Sequence, residues 1–378
     1  MFSTKKKIAI VYDWIDKWGG VERVLLHLHF LFPQAHFFTS AVEFKNVQWA
    51  HNLTIHSSFL QTFPSYVRSN RALMTPLFPL AFESFKFDEY DLVISVTSAF
   101  AKGVITKPDT KHICYLLTPP RYLWSHTEDY LSGIMEVMGR PMLKHLQEWD
   151  ILASQRPDGY IALSKTTAER AKRYYKIDSP VVYPPFDTFY WDVKKKMMKK
   201  PSVISDVKPY YLWVGRMESY KKPELILEAA KQDSVHNFVF VGTGSLENKL
   251  KKTSPHNCQF TGAISDEELS YLYSHAHALI MPQNEDFGLV SLEAQYHGCP
   301  VIAYRKGGAC ETVREGESGI FFEEQTVPSL MLQLERYEQI SYNLSHSTTQ
   351  LQKTVKERFG IERFDKQFIY QLKQYITL

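Results

Sequence analysis

The sequence has few cysteines, no long apolar run and little net charge, and each shortage excludes a class of protein. Its four cysteines, Cys114, Cys258, Cys299 and Cys310, are scattered without paired spacing, so neither a disulfide framework nor a zinc site is indicated. No stretch approaches the roughly 20 apolar residues that a membrane-spanning helix needs. The formal net charge is +3, whereas nucleic-acid binders normally carry a stronger basic excess. We therefore expect no nucleic-acid partner.

The amino-terminal segment lacks the features of an export signal. Three lysines at positions 5–7 precede a short apolar stretch, residues 8–12, which Asp13 ends. A secretory signal needs a longer apolar region followed by small residues at a cleavage site. The expectation is therefore a cytoplasmic protein.

Material for two hydrophobic cores is abundant. Of the 378 residues, 44% are hydrophobic and 14% are aromatic, and a chain of this length fits two domains of about 150–200 residues. Short β-branched runs alternate with longer helical stretches, a pattern typical of α/β domains with parallel sheets. The predicted strands are 7–12, 92–96, 112–116, 159–163 and 181–183, then 210–214, 238–241, 278–281 and 301–304.

Residues 186–206 separate these two series of strands. They lack strand periodicity, follow a pair of prolines and contain the lysine-rich stretch 194–200, as is typical of an inter-domain connection. The predicted fold is α/β with two Rossmann-like domains facing across a cleft, one over 1–187 and one over 207–360. In such folds a ligand binds at the carboxyl ends of the strands.

The densest chemical signal follows the predicted strand 278–281. The next loop contains Glu285 and Gly288, and it leads into a helix that ends at Gly298. Amides at the start of a helix favour an anion such as a diphosphate, and a glycine lets it approach the backbone. Glu293, about one turn into the helix, can accept hydrogen bonds from a diol such as ribose. By themselves, the two glutamates also fit a solvated acidic loop and helix surface.

The surrounding sequence resembles a known family. Residues 285–322 include Gly-Cys-Pro-Val-Ile-Ala at 298–303, the pair Gly307-Gly308 and Glu-Thr-Val at 311–313. With these features the chain resembles family-4 glycosyltransferases, which are retaining enzymes of the GT-B fold. In that family the first glutamate contacts hydroxyl groups of the donor sugar, the following amides bind the diphosphate, and the second glutamate binds the ribose.

Those implied roles fall on five residues of this chain. Glu285 is the implied catalytic contact to the donor sugar, and Glu293 is the implied ribose ligand. The amides of Phe287, Gly288 and Leu289 are the implied diphosphate ligands.

Two cations complete the implied donor site. Arg216, which follows Gly215, and then Lys221 match the family's arginine and lysine that neutralise the donor diphosphate. The departing nucleoside diphosphate gains negative charge, which arginine, lysine and amides can offset where no metal does so. Two surface cations after a strand are the alternative interpretation. No Asp-x-Asp pair follows a predicted strand, so we expect neither a metal nor a cofactor, the nucleotide sugar being a substrate.

The amino-terminal half extends the resemblance. Gly19 and Gly20 resemble the family's glycine loop over the donor phosphates, and residues 98–102, 118–124 and 183–185 resemble members that build bacterial surface polysaccharides, often from GDP-mannose. The resemblance implies a hexosyltransferase with a nucleotide-sugar donor and a glycan or lipid-linked acceptor. It also implies that the domain over 1–187 is on the acceptor side, that the domain over 207–360 binds the nucleotide sugar, and that a last helix, about 361–378, returns to the first domain. The implied location is cytoplasmic and includes peripheral contact with the inner face of the cell membrane.

One position departs from the family pattern. Where such relatives usually carry a histidine before a Thr-Pro pair, this chain has Leu117, and His112 is too far along the strand to replace it. The departure is consistent with an altered donor or a weakened enzyme. It also keeps open a second hypothesis, a non-catalytic sugar-nucleotide-binding partner of another glycosyltransferase. The intact Glu285, Arg216, Lys221 and Glu293 favour the enzyme.

Two weaker signals have ordinary explanations. Gly242-Thr243-Gly244 is half of a dinucleotide fingerprint and lacks its third glycine, so a turn beside the donor pocket is the better interpretation. Residues 74–87 are rich in Phe, Pro and Leu; core packing is favoured, with contact to a lipid-linked acceptor or membrane as the alternative.

Overall fold

The structure is a computed structural model that describes residues 6–125, 134–204, 209–340 and 348–376. The chain divides into two compact units. The first comprises Met1–Pro185 together with Phe364–Leu378, and the second comprises Phe186–Arg363. Among the described helices, none has the length and apolar character needed to cross a membrane.

The first unit contains a sheet of six parallel strands. In chain order they are β1 (Ile8–Tyr12), β2 (His36–Thr39), β3 (Ile55–Ser57), β4 (Leu92–Thr97), β5 (Lys111–Leu116) and β6 (Gly159–Ala162). Their spatial order is β3-β2-β1-β4-β5-β6. Every residue of β1 and β4 is buried, because a parallel sheet is covered on both faces and its central strands are mostly apolar.

The helices of the first unit vary widely in length. They are α1 (Gly20–Leu31), α2 (Ser65–Arg68), α3 (Arg71–Met74), α4 (Phe78–Glu83), α5 (Arg121–Trp124), α6 (Ile134–Ser154) and α7 (Lys165–Tyr175). In α1 the buried apolar residues recur at helical spacing, which gives the helix one face for the sheet. In α4 Phe78, Ala81 and Phe82 are buried whereas Leu80 is exposed, so much of the predicted 74–87 segment packs in the core.

The second unit repeats this sheet. Its strands are β7 (Tyr210–Val214), β8 (Asn237–Val241), β9 (Cys258–Gly262), β10 (Ala278–Met281), β11 (Val301–Tyr304) and β12 (Gly319–Phe322). The spatial order is β12-β11-β10-β7-β8-β9, with all pairs parallel. Counted within each unit, both sheets have the order 3-2-1-4-5-6. In this topology ligands bind where the strand order reverses, at the carboxyl ends of the first and fourth strands.

Nine described helices accompany this second sheet and the end of the chain. They are α8 (Thr188–Lys196), α9 (Pro223–Gln232), α10 (Glu247–Thr253), α11 (Asp266–His275), α12 (Leu289–Tyr296), α13 (Ala309–Thr312), α14 (Val327–Ile340), α15 (Thr348–Phe359) and α16 (Ile361–Leu372). A capping box formed by Ser265 and Glu268 begins α11, which satisfies two amides that would otherwise lack a helical partner.

The predicted strand 181–183 is wrong. Val181 forms only an isolated bridge with Ala162, through two backbone hydrogen bonds of 2.8 and 3.0 Å. The prolines that follow at 184 and 185 have no amide hydrogen to extend a ladder.

The stretch 186–206, predicted as an inter-domain connection, contains helix α8 and packs within the second unit. Asp187 caps this helix by accepting a hydrogen bond of 2.9 Å from the Tyr190 amide. Trp191 is fully buried, and the Tyr190 hydroxyl contacts the Asp266 carboxylate. Two adjacent aromatic residues in this lysine-rich stretch, Tyr190 and Trp191, therefore hold the segment in place.

The final helix joins the core of the first unit. Phe364, Phe368, Ile369 and Leu372 of α16 are buried among residues of β1, β4 and β5. The ring of Phe368 stands perpendicular to that of Tyr115, with centroids 5.7 Å apart. These apolar positions lie on one side of the helix.

One ion pair is fully buried in the first unit. The Lys102 ammonium contacts the Asp150 carboxylate, and both side chains are inaccessible to solvent. Lys102 also donates a hydrogen bond of 2.7 Å to the Ala99 carbonyl. Asp150 accepts from the Trp124 indole at 2.8 Å and the Tyr175 hydroxyl at 2.7 Å. The polar side chains of Lys102, Asp150, Trp124 and Tyr175 therefore depend on one another for their hydrogen bonds away from water.

We expect Asp150→Ala to destabilise the first unit by about 3–5 kcal/mol, because it leaves the Lys102 charge buried without its partner. Asp178→Ala is the control, since Asp178 pairs with Lys172 on an exposed surface and such pairs contribute at most about 1 kcal/mol. Hydrogen exchange of the β4 and β5 amides measures both effects. Equal loss of protection in the two variants would contradict the expected cost of the buried charge.

Candidate functional site

Four loops of the second unit meet at one edge of its sheet. Because β7, β8, β10 and β11 are parallel, the loops that follow them leave from the same edge. The loop after β10 contains Glu285, and the loop after β11 contains Gly307 and Gly308. The Gly308 amide donates a hydrogen bond of 2.8 Å to the Glu285 carbonyl, and positions 285 and 307 form a parallel bridge.

The glycine pair allows this close approach. A Cβ atom on Gly307, where φ is +67°, would lie 2.2 Å from the Asn284 Oδ1 atom and 2.4 Å from the Glu285 carbonyl oxygen. A Cβ atom on Gly308 would lie 2.2 Å from the Phe287 Cα atom. The glycines therefore fix the position of the loop that carries Glu285.

The structure brings together two of the predicted catalytic residues. The Lys221 ammonium contacts the Glu285 carboxylate at its Oε1 atom, which also accepts a hydrogen bond of 2.8 Å from the Gln283 amide. The Lys221 and Glu285 side chains are only 19% and 14% exposed. Opposite charges that are this shielded attract more strongly than a surface pair. The site thus contains a charged pair formed by residues from two separate loops.

Tyr220 contacts both predicted cations. The Arg216 guanidinium donates a hydrogen bond to the Tyr220 hydroxyl and lies 5.8 Å from the ring centroid. The Lys221 ammonium lies 5.6 Å from the same centroid. A cation near an aromatic face is stabilised by the ring's quadrupole. Tyr220 therefore holds the two positive charges beside each other.

The predicted anion-binding amides lie at the start of α12. Gly288 is left-handed, with φ +88° and ψ 59°, and it is the N-cap of the helix that begins at Leu289. Phe287 is buried, and its ring packs 5.6 Å from that of Phe359. Amides in the first turn of a helix point outward from its N-terminal end, where they favour negative charge. The position is suited to a phosphate group.

Glu293 is on the same helix and is 7% exposed. Its Oε2 atom accepts a hydrogen bond of 3.0 Å from the Tyr273 hydroxyl. Beyond it, the Glu293 carbonyl lies 2.7 Å from the His297 Nδ1 atom, and burial lowers the pKa of His297 to about 4. That histidine is therefore neutral near neutral pH and anchors the helix end without adding charge.

The predicted glycine loop lies in the first unit. Gly19 is the N-cap of α1 in an extended conformation, and Gly20 is the first helical residue. A Cβ atom on Gly19 would lie 3.0 Å from an Oε2 atom of Glu22. Glu22 is buried, which raises the pKa of its carboxyl group, and it accepts a hydrogen bond of 3.3 Å from Tyr12. This carboxylate explains a small residue at position 19, and the phosphate-binding role of the loop stays a prediction.

Leu117 lies in the hydrophobic core of the first unit. Its side chain is 4% exposed, and its backbone amide donates to the Thr97 carbonyl at 2.8 Å. His112 is fully buried as well, with its Nε2 atom 2.8 Å from the Ser95 hydroxyl. Burial lowers the pKa of His112 to about 3, so it stays neutral near neutral pH. Neither residue presents an ionisable group of the kind that the usual histidine supplies.

Two site residues were missed by the sequence reasoning. Gln283 and Asn284 directly precede Glu285, and their Oε1 and Oδ1 atoms are buried without a hydrogen-bond partner in the described part of the chain. A buried polar atom of this kind requires a partner such as water or a ligand. Their position, two and three residues after the end of β10, is the signal that could have identified them.

Comparison with known proteins matches much of the second unit to a described family. Residues 194–354 match the family described as Glycosyl transferases group 1. Sulfoquinovosyl transferase SQD2 of Arabidopsis thaliana is 29% identical over 180 residues, which are 46% of this chain and 34% of that protein. Alpha-1,3/1,6-mannosyltransferase ALG2 of Homo sapiens is 30% identical over 249 residues, 58% of each chain. The chain thus spans about a third of the plant relative and somewhat more than half of the human one.

A third relative is known only by its genetic location. An uncharacterized 41.2 kDa protein in the cps region of Klebsiella pneumoniae is 26% identical over 274 residues, which are 69% of this chain and 73% of that protein.

Solved structures show the fold. Anabaena HepE, in complex with UDP and glucose, matches 97% of this chain and 100% of its own, with a TM-score of 0.68 at 18% identity. The predicted α/β fold with two Rossmann-like domains is therefore confirmed, and it is the GT-B fold of glycosyltransferases. Within that fold, residues 194–354 match the glycosyl transferases group 1 family.

Gly308→Ala should destabilise the second unit by about 1–3 kcal/mol, because the added methyl group overlaps the Phe287 backbone and no rotamer relieves the overlap. Hydrogen exchange of the amides of residues 285–289 should become faster. Gly316→Asn is the control: nothing lies within 4 Å of its added Cβ atom, and asparagine tolerates a positive φ. If Gly308→Ala is as stable as wild type, the two loops are not in the contact described.

Proposed function

We propose that the chain is a retaining, metal-independent hexosyltransferase that uses a nucleotide-sugar donor. The observation that carries the proposal is the contact between Lys221 and Glu285. Glu285 is close in sequence to the amides that begin α12. This arrangement combines in one unit a carboxylate for sugar hydroxyls, cations for a diphosphate and a helix N-terminus for its oxygens. The group 1 match over residues 194–354 supports the same conclusion.

The proposed reaction breaks the bond between the anomeric carbon and a diphosphate oxygen. The bonding electrons remain on the nucleoside diphosphate, which gains negative charge, and Arg216, Lys221 and the amides of 287–289 offset it. The acceptor hydroxyl forms the new bond on the same face of the sugar, and its proton passes to the departing phosphate. Glu285 holds donor hydroxyls, and Glu293 holds the ribose. These positive groups replace the metal ion that other transferases use.

Mannose is the hexose that we propose, with GDP-mannose as donor. The human relative is a mannosyltransferase by name, and the sequence motifs of the first unit resemble enzymes of bacterial surface polysaccharides. The relative from a cps region supports a glycan or lipid-linked acceptor in envelope polysaccharide synthesis. We place this reaction in the cytoplasm or at the inner face of the cell membrane.

Leu117 supports a second candidate function. Leu117 is buried in the core, so this position lacks the histidine that such relatives usually have near the donor sugar. A chain that binds the nucleotide sugar without transferring it, as a partner of another glycosyltransferase, fits that observation. The two candidates differ in turnover and share donor binding.

Arg216→Ala and Lys221→Ala should each weaken binding of a nucleoside diphosphate by roughly tenfold or more, because each removes a charge-assisted hydrogen bond to the same anion. The free nucleoside should bind wild type and both variants about equally. The double variant should lose less than the sum of the two single losses, since both residues act on one diphosphate. Calorimetric titration with both ligands measures these differences.

Lys222→Ala is the matched control for this pair. Lys222 is the exposed neighbour of Lys221, so its removal changes the net charge by the same amount without touching Glu285. Equal losses for nucleoside and nucleoside diphosphate would mean that Arg216 and Lys221 shape the pocket instead of binding phosphate.

Glu285→Gln should lower turnover by at least roughly tenfold with little change in stability, because a neutral amide stabilises developing positive charge on the sugar less than a carboxylate. The assay follows transfer of radiolabelled hexose from the donor, with and without EDTA. Activity should survive EDTA, and a strict requirement for magnesium or manganese would contradict metal independence. Donor binding without any turnover in wild type would select the non-catalytic partner.

A further inference from the structure

The first unit contains a cavity of about 140 Å³ at the carboxyl ends of β1 and β2. Its volume corresponds to about five water molecules, which suits one small ring better than a chain. The charged and polar groups that line it come from the loops after these strands and from α2 and α3. They include Trp14, Asp16, Glu43, Asn46, Arg68 and Arg71.

The charges in this cavity are balanced. Arg71 forms an ion pair with Asp16, and its guanidinium stacks 3.9 Å from the Trp14 ring centroid. Arg68 pairs with Glu43, to which its Nε atom donates at 2.8 Å. Two guanidinium groups therefore meet two carboxylates. A phosphate or carboxylate ligand would have to displace one of these pairs and face the released acid, so the lining favours a neutral ligand.

The lining also offers an acceptor to a hydroxyl group. The Asp16 Oδ1 atom is buried without a hydrogen-bond partner in the described part of the chain, and a carboxylate oxygen can only accept. Leu60, Met74 and Phe78 supply an apolar wall to the same cavity. A ring with hydroxyl groups on its edge and C–H groups on its faces matches both features, and a pyranose has that chemistry.

We infer that this cavity binds a neutral pyranose, and that Asp16 determines specificity by accepting a hydrogen bond from one of its hydroxyls. In the proposed transferase this pyranose is a unit of the acceptor, and that assignment rests on the proposed function. The inference that the cavity binds a neutral sugar does not rest on the proposed function, because it follows only from the first-unit residues that line the cavity. The cavity thus selects for hydroxyl groups, whereas Arg216 and Lys221 select for phosphate.

The experiment measures binding of neutral methyl hexosides to the full chain by saturation-transfer NMR, at up to about 100 mM for weak ligands. At least one hexoside should bind wild type. Asp16→Asn, which keeps the size of the side chain, should weaken that binding by roughly tenfold because a charge-assisted hydrogen bond becomes a neutral one. Ala41→Phe, which fills the cavity from its wall, should abolish it.

Two controls make the outcome decisive. Asp88→Asn removes an exposed carboxylate that pairs with Lys107 outside the cavity, and it should leave hexoside binding unchanged. Nucleoside diphosphate binding should be the same in all these variants, since Arg216, Lys221 and the amides of 287–289 are in the second unit and no variant replaces Gly19 or Gly20 of the predicted glycine loop. Unchanged hexoside binding in both Asp16→Asn and Ala41→Phe, or no binding in wild type, would overturn the inference. Stronger binding of inorganic phosphate than of any hexoside, lost in Ala41→Phe, would overturn the argument for a neutral ligand.

If hexosides bind as expected but no donor supports transfer, the cavity stands as a sugar site and the proposed transferase fails. If transfer occurs and Asp16→Asn raises the KM for acceptor without changing the KM for donor, the assignment of the pyranose to the acceptor holds. An equal rise in both KM values would contradict that assignment.

Discussion

The backbone contact between the loop at Glu285 and the glycine pair at 307 and 308 is the constraint on which the site of the second unit depends. One hydrogen bond and one bridge join the loops after β10 and β11. A side chain at either glycine would occupy the same space as the neighbouring loop and would shift the loop that carries Glu285 relative to Lys221. The charge pair, the start of α12 and the buried Gln283 and Asn284 all follow from this packing.

Eight of the twelve strands could be predicted from sequence, among them all four at the sheet centres. β1, β4, β7 and β10 lie at sheet centres and are apolar on both faces, so that they appear as continuous hydrophobic runs. β2, β3, β9 and β12 were not predicted. All four lie at or next to a sheet edge, and β3 and β9 are partly exposed. A run such as Ile-His-Ser at β3 has no periodicity that separates it from a loop.

For the candidate site, the residues were predicted from sequence, but the contacts that hold them in place were not. Glu285 and Lys221 were predicted from motifs that are 64 positions apart, and the sequence contains no sign that they contact each other. The contact depends on the parallel arrangement of β7 and β10, which is a property of the whole sheet. Tyr220 and Tyr273 were not predicted for a related reason: a tyrosine hydroxyl beside a charged group is recognised only once the folded positions are known. The helix within 186–206 was not predicted, because the lysines that follow Trp191 gave no indication that this tryptophan is buried.

The two sheets have the same strand order, but the charged groups at their carboxyl edges differ. In the first unit the Asp13 carboxylate follows β1 and accepts hydrogen bonds of 2.8 Å from the amides of Ser98, Phe100 and Ala101 and from the Thr97 hydroxyl. A built-in anion therefore occupies amides that could otherwise bind phosphate at this switch point. In the second unit the corresponding edge has Arg216, Lys221 and the start of α12, which add positive potential. Both edges share one topology, and they differ at the residue after the first strand, which is aspartate in one unit and glycine followed by arginine in the other. This difference in charge supports the proposal that the second unit binds the diphosphate.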